Sequence, residues 1–328
     1  MAGTRRRTGA ARRRRLPRRV LVTLLLVLVV LLGYGTGLYF WADSKLRTTD
    51  AFGADAGRPA AGSGTDWLLV GSDSRAALSP EQRKELHVGN DGGLNTDTIM
   101  LLHHGATGPY LISIPRDSYV PIPGHGRGKI NSAYALGGAE LLTRTVEQAT
   151  GLRLDHYAEI NFLGLVDVVD SLGGVRVCVP RGGLHDEKSG ADFDAGCQHM
   201  TGVQALRFAR ARYSDPRGDL GRVERERRLV DAIAHKALGP AVLLPPWRLV
   251  PFLRASLGAI TVDTGSGVGA LAVMGRDMSS LDRTATVPVA GESYVYGAGD
   301  VVEWDRSKAE RLFAALREDT AIPTFDTN

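Results

Sequence analysis

Between Arg207 and Arg228 the chain reads RFARARYSDPRGDLGRVERERR, eight arginines in twenty-two residues and no lysine. A guanidinium is a rigid planar fork that grips two phosphate oxygens at once, whereas a lysine ammonium is a mobile point charge. A surface charged for solubility alone would mix lysine, glutamate and arginine. This stretch instead predicts a clamp for clustered anionic oxygens, most simply a phosphate or pyrophosphate. Arg210 and Arg212 leave one predicted helix, and Arg222 and Arg225 open the next, where Asp219 is placed to cap it or pin an arginine. Arg207, Arg217 and Arg228 read as ordinary surface charge.

Four other segments add to that chemistry. In Gly71-Ser72-Asp73-Ser74-Arg75 a carboxylate follows a short strand in a small-residue loop, where α/β sheets place their sites; a turn cap is the plain alternative. Asn95-Thr96-Asp97-Thr98 sets a second carboxylate beside the strand Ile99–His103. If Asp73 and Asp97 converge, they supply the one or two oxygens by which proteins hold Mg²⁺. In Ile112-Ser113-Ile114-Pro115-Arg116-Asp117 a strand is stopped by proline, and Arg116 follows on a rigid end with Asp117 to orient it. A structural salt bridge is the competing reading, worth little at a surface. Lys129 follows the glycine-rich loop Gly124–Gly128 and precedes a possible helix start, where backbone N–H groups favour anions. No Walker sequence accompanies it, which excludes a nucleotide P-loop. No serine sits in a G-x-S-x-G elbow, and His103 and His104 have no third partner at metal-ligand spacing.

The ends of the chain set its compartment. Residues 1–19 hold nine arginines and no acid, and residues 20–41 are almost wholly apolar up to the aromatic cluster Tyr39, Phe40 and Trp41. About twenty apolar residues cross a bilayer core of roughly 30 Å, and the arginines before them predict a cytoplasmic amino terminus. A single-pass signal anchor is expected, with the rest of the chain outside the cell membrane. The net charge of +4 therefore misleads. Removing the nine tail arginines leaves 31 basic side chains against all 36 acidic ones, so the outer part is negative and not a nucleic-acid binder. A nineteen-residue basic tail has no DNA-reading fold either. Cys178 and Cys197 fall in the outer, oxidising compartment and are expected to pair. His185 and His199 offer a zinc alternative, but at no standard spacing.

The elements that position these groups alternate. Residues 42–65 lack apolar periodicity and read as a linker, with one catalytic domain over residues 66–328. Strands are predicted over Trp67–Val70, Thr98–His103, Tyr110–Ile114, Tyr157–Ile160 and Val175–Val179, and over Ala285–Val289 and Val301–Trp304. Helices are predicted over Ala139–Thr150, Phe162–Ser171, Gly202–Arg212, Arg222–Ala237, Pro251–Leu257, Gly267–Met274 and Arg306–Arg317. Tyr157 to Val175 has the length of a βαβ unit. The pattern predicts an α/β domain whose central sheet is covered on both faces.

Taken in order, DWLLVGSDSR, NTDTIMLL, ISIPRDSYVPIPGHGRGKINSAYALGG, TVEQATGLRLDHYAEINF, VDSLGGVRV and ALRFARARYSDPRGDLGRVER resemble the LytR-CpsA-Psr family of cell-envelope phosphotransferases. The resemblance implies an α/β/α sandwich with a central mixed sheet and an apolar tunnel for a polyprenyl chain. It implies transfer of a glycopolymer from a polyprenyl-pyrophosphate-linked donor to a peptidoglycan acceptor, with Mg²⁺ as cofactor and polyprenyl phosphate released. On that basis Asp73 and Asp97 match the family's Mg²⁺-associated aspartates, and Arg116 its Pro-Arg-Asp arginine. Arg210, Arg212 and Arg222 match its pyrophosphate-binding arginines, while Asp219 and Arg225 match polar residues that support them. Arg225 is also counted with the pyrophosphate contacts. Arg75 and Lys129 fall within its motifs, and Asp97 is the candidate to take the acceptor proton. Asn95 stands where the family often has arginine, and Glu226 where it usually has glutamine. A hydrolase acting on the same pyrophosphate, and a non-catalytic polymer-binding or regulatory protein, are the alternatives.

Overall fold

The computed structural model describes residues 18–53, 57–72, 96–161, 164–211 and 219–325, with backbone alone at 97, 219–224, 226 and 227. The chain divides into two units, Met1–Ser44 and Lys45–Asn328. The first contains α1 (Arg18–Asp43), 26 residues long. At ~1.5 Å per residue that is about 39 Å, and its mean hydropathy reaches 2.4. This apolar helix fits a single membrane anchor and encloses the expected span.

The second unit is built on a seven-stranded mixed sheet. Its strands are β1 (Arg47–Thr49), β2 (Thr65–Ser72), β3 (Thr96–Gly105), β4 (Gly108–Ile114), β7 (His156–Asn161), β12 (Ile260–Asp263) and β13 (Thr284–Thr286), in the order β1-β12-β7-β2-β3-β4-β13. β2 runs parallel to β7 and antiparallel to β3, and β3 is antiparallel to β4. Period-two alternation sorts the side chains onto two faces. Leu68, Val70, Ile99, Leu101, Ile112, Ile114 and Tyr157 pack with Leu142 and Val146 of α2 (Ile130–Thr150) and Leu312, Phe313 and Leu316 of α9 (Arg306–Arg317). Trp67, Leu102, Ala158 and Val262 face the other way, against Ala270, Leu271 and Met274 of α8 (Val268–Ser279). Helices on both faces of a mixed sheet make this an α/β/α sandwich.

A third apolar cluster lies outside the sheet. It joins α3 (Gly164–Ser171), α4 (Gly202–Arg210) and α5 (Asp219–Ala237) to two small antiparallel pairs. One pair is β8 (Val175–Val179) with β11 (Gly196–Met200), the other β9 (Leu184–Asp186) with β10 (Ala191–Phe193). Here the βαβ expectation fails. β8 does not join β7; its partner is β11, and its alternating exposure suits a sheet with one wet face rather than a central parallel strand. Before it, Gly173 and Gly174 (φ +70° and +82°) end α3, with their N–H groups on the carbonyls of Asp170 and Val169. That pattern was readable from the sequence.

Cys178 and Cys197 face each other across β8 and β11 and form a disulfide. The zinc alternative falls with it: His185 is bonded to Asp192 (2.6 Å) and His199 to the Gly173 carbonyl (2.9 Å). Closing a nineteen-residue separation stabilises by about 3 kcal/mol in the chain-entropy model. Cys178→Ser with Cys197→Ser should therefore lower the melting temperature by roughly 10 °C, measured against the oxidised wild type; an unchanged melt would refute the loop-closure account.

The linker expectation is also corrected. β1 lies inside residues 42–65 and pairs with β12, Ala51 is buried in the main core, and Arg58 holds Glu147 at 2.7 Å. A three-residue edge strand of polar side chains carries no apolar periodicity, because its contribution is backbone hydrogen bonds. Likewise α2 begins nine residues before its expected start. Gly137 and Gly138 break it, the latter at φ +65°, and the run after the break is the part periodicity reveals.

Near the end of β3, His103 is buried. Its Nδ1 lies 2.9 Å from Asp66 Oδ1 and its Nε2 3.6 Å from Asp319 Oδ1. Burial lowers the His103 pKa, but the hydrogen bond and charge of Asp66, joined by those of Asp319, outweigh it and the net shift is upward. Burial also raises the Asp66 pKa, which His103 only partly offsets and the nearby Asp155 and Asp319 charges reinforce. Both shifts mean that the folded pair binds a proton more tightly than the unfolded chain does. The His103 contribution is full below its unfolded pKa of about 6.5 and is lost as pH rises through the higher folded value. Melting temperature should thus fall more steeply above neutral pH in the wild type than in His103→Gln, and parallel profiles would refute the shared proton.

Candidate functional site at one edge of the sheet

The topology gathers four strand ends. β2, β4 and β7 finish at the edge where β3 begins. In the β2–β3 ladder Gly71 pairs with Thr98 but Ser72 with Thr96, so Asp97 is the extra residue of a β-bulge. Bulges of this kind re-aim a side chain and recur beside active sites. Asp73 and Arg75, which follow β2, lie outside the described residues, as do Asn95 and Arg212.

Arg116 sits two residues beyond β4, in a turn fastened on both sides. Ser118 closes it onto the Pro115 carbonyl, through its backbone N–H (3.0 Å) and its hydroxyl (2.6 Å). The indole N–H of Trp304, on β15 (Gly299–Trp304), which pairs with β14 (Val289–Val295), donates to the Ser118 hydroxyl at 2.8 Å. The Val302 N–H donates to the Asp117 carbonyl at 2.9 Å. On the other side, the Ile130 and Asn131 N–H groups donate to the carbonyls of Ser118 and Arg116. The first N–H groups of α2 are thereby used within the protein, which corrects the expectation that they would greet an anion. The glycine-rich loop is itself a hairpin, β5 (Tyr119–Ile122) with β6 (Gly126–Lys129).

The charges on this turn are arranged rather than scattered. Asp117 accepts from Arg116 Nε at 3.4 Å through one oxygen and pairs with Lys129 Nζ at 2.9 Å through the other. One carboxylate between two cations leaves a net positive group. Arg116 keeps 39% of its side chain exposed. Its Nε edge is the one Asp117 engages, the contact that the salt-bridge reading expects.

A further carboxylate at this edge escaped the sequence reading. Glu159 on β7 accepts hydrogen bonds from Tyr134 (2.8 Å) and Tyr157 (3.0 Å), and Tyr134 also bonds Ser72, the last residue of β2. Burial, then the Glu159 charge, pushes both phenols well above their ordinary value, so they remain donors. The signal was present in HYAEIN: Tyr157 and Glu159 share the inward face of the strand, where an acid is out of place.

The arginine row lies on α4 and α5, which pack on one another and on the disulfide-bonded hairpin. A capping box of Thr201 and Gln204 opens α4, and Arg210 is its half-buried last residue. Arg225 is buried, and its guanidinium donates to the carbonyl of Ala211, the residue that caps α4. That placement suits a residue that joins the two helices rather than one facing solvent. Asp219 and Arg222 are placed by their backbone on α5. Among the described residues the structure thus unites Arg116, Asp117 and Lys129 in one cluster and ties Arg225 to Ala211, the residue after Arg210. Two cavities are lined by described residues. One of about 420 Å³ lies beside the hairpin, lined by Arg176, Pro180, Arg228 and Asp231, and one of about 280 Å³ lies between Arg58 and Arg144. The site is assigned on chemistry and sheet topology. Among the described residues no three potential metal ligands cluster.

Comparison with known proteins agrees with this architecture. The LytR_cpsA_psr family model matches residues 46–318. The probable cell wall biosynthesis protein LcpB of Corynebacterium glutamicum is 47% identical over 279 residues, covering 84% of this chain and 66% of LcpB. The polyisoprenyl-teichoic acid–peptidoglycan teichoic acid transferase TagU of Bacillus cereus is 33% identical over 213 residues, 63% of this chain and 67% of TagU. The LytR-Csp2A-Psr enzyme from Actinomyces oris superposes with a TM-score of 0.56 at 22% identity, over 83% of this chain and 97% of that one, a likeness of fold. The chain spans about two thirds of the length of LcpB and of TagU.

Proposed function

This chain belongs to the LytR_cpsA_psr family, and from that premise we propose that it is a membrane-anchored phosphotransferase. It would move a glycopolymer from a polyprenyl-pyrophosphate carrier to peptidoglycan and release polyprenyl phosphate. The observation that carries the reading is the fastened turn of Arg116, Asp117 and Lys129 at the edge that also holds the Asp97 bulge. The arginines before α1 support an orientation with the amino terminus in the cytoplasm and the site outside, next to a lipid-borne donor.

In the reaction, an acceptor hydroxyl oxygen bonds to the phosphorus that carries the sugar. The bond from that phosphorus to the bridging oxygen breaks, and its electron pair leaves with polyprenyl phosphate. Such transfers depend mainly on positioning and on charges already aimed at the phosphoryl oxygens. Arg116 and Lys129 are the residues we assign to that charge, with Asp117 fixing both. Arg210, Arg212 and Arg222 are assigned to the pyrophosphate, and Arg225 and Asp219 to holding that row. Asp97 is assigned the acceptor proton, directly or through a water. Asp73 and Asp97 are the carboxylates we assign to Mg²⁺, which proteins hold through one or two such groups. Bound there, Mg²⁺ would neutralise pyrophosphate charge.

The test uses the full chain in lipid nanodiscs with a labelled polyprenyl-pyrophosphate glycan and nascent peptidoglycan. Label entering peptidoglycan, dependent on Mg²⁺, is the expected result. Polyprenyl phosphate released without incorporation would replace the transferase by a hydrolase, and tight donor binding without turnover would replace it by a binding protein.

A further inference from the structure

Between Asp231 and Asp263 the chain has no acidic side chain but holds Lys236, Arg248 and Arg254, in an outer part that is otherwise net negative. Two helices fold back within it, α6 (Pro240–Leu243) and α7 (Pro246–Gly258). Their inner side is buried through Val242 and Leu257, and Phe252 packs against the hairpin core. Their outer corner is not. Leu238, Leu244 and Trp247 are 73%, 78% and 77% exposed, and Leu243 is 42% exposed.

Lys236 is spent on the Gly174 carbonyl (2.6 Å), but Arg248 and Arg254 are exposed. Single exposed apolar residues are ordinary, whereas four large ones within ten residues, with exposed arginines on the same segment, are a surface with a partner. Leucines beside a tryptophan and basic side chains are the composition of segments that lie in a membrane interface. There the apolar tips sink about 5–10 Å and the cations reach anionic headgroups.

We propose that the Leu238–Trp247 corner docks on the outer leaflet of the bilayer, so that the domain is held to the membrane at a second point besides α1. The proposal rests on α1 crossing the bilayer and not on the transferase reading, since its test needs no turnover. One full chain is placed in each nanodisc of phosphatidylglycerol and phosphatidylcholine, with or without bromine on the acyl chains. The emission lost on Trp247→Phe defines the Trp247 share, free of Trp41, Trp67 and Trp304. Brominated lipid should remove most of that share. Leu238→Glu with Leu244→Glu should abolish the quenching without shifting the melting temperature, since both side chains are exposed. An unquenched Trp247 share would overturn the proposal. So would shielding without quenching, as a protein partner gives, or quenching that survives the acidic variant.

Discussion

Arg116→Ala is expected to lower the transfer rate by about 10²–10³-fold, the usual loss when one donor to developing charge is removed, with little change in melting temperature. The argument rests on how the side chain is held. Its backbone is fixed on both sides, by α2 at the Arg116 and Ser118 carbonyls and by β15 at the Asp117 carbonyl. Asp117 engages its Nε edge while sharing its second oxygen with Lys129. The guanidinium is thus oriented before any ligand arrives, and alanine removes both the donors and the order. Lysine at the same position keeps the charge but loses the planar fork, so Arg116→Lys should recover only part of the rate. A residue 39% exposed contributes little to folding, so a melt within about 0.5 kcal/mol of wild type separates function from stability. Initial rates of label incorporation read the effect. Transfer at the wild-type rate in Arg116→Ala would remove the turn from the site.

What the sequence disclosed followed from how each element is stabilised. The strands of the sheet interior, around Leu68, Leu101 and Ile112, announce themselves because both faces are buried and the apolar run is continuous. Arg306–Arg317 is legible residue for residue, because an Asp305 cap and one apolar face define it. β1 and the β5–β6 hairpin were missed, because polar or glycine-rich segments held by backbone hydrogen bonds leave no hydrophobic pattern. β8 was seen but placed in the wrong sheet, since its partner lies beyond the disulfide loop and pairing across that distance has no local signature. The site shows the same division. Arg116, Asp117 and Lys129 were each visible as charged residues beside predicted elements, yet the carboxylate shared between two cations is a tertiary fact. The family resemblance places Arg225 among the residues that support the pyrophosphate contacts, and says nothing of whether the side chain is buried. Its burial against Ala211 depends on how α4 meets α5.

Glu159 gives the second large expected effect, and here the cost falls on folding before it falls on chemistry. Its carboxylate is the acceptor for two buried phenols, Tyr157 with no exposed surface and Tyr134 with 8%. A leucine in its place leaves both hydroxyls in the main core without that acceptor. Each stranded donor costs about 1–3 kcal/mol, so Glu159→Leu should destabilise by roughly 2–6 kcal/mol in denaturant unfolding. Removing the donors as well should reverse much of the loss. The triple variant Glu159→Leu, Tyr134→Phe, Tyr157→Phe exchanges a satisfied polar cluster for apolar contacts, and such exchanges come out near neutral. The cycle therefore has a definite sign: the three changes together must cost less than Glu159→Leu alone. If costs simply added, the three side chains would be acting independently and the network would be dismissed. The network also bears on the site, because Tyr134 joins α2 to Ser72, the last residue before Asp73. A triple variant that regains stability but stays slow in transfer would show that this polar tie sets the sheet edge for catalysis. One that regains both would confine Glu159 to the core.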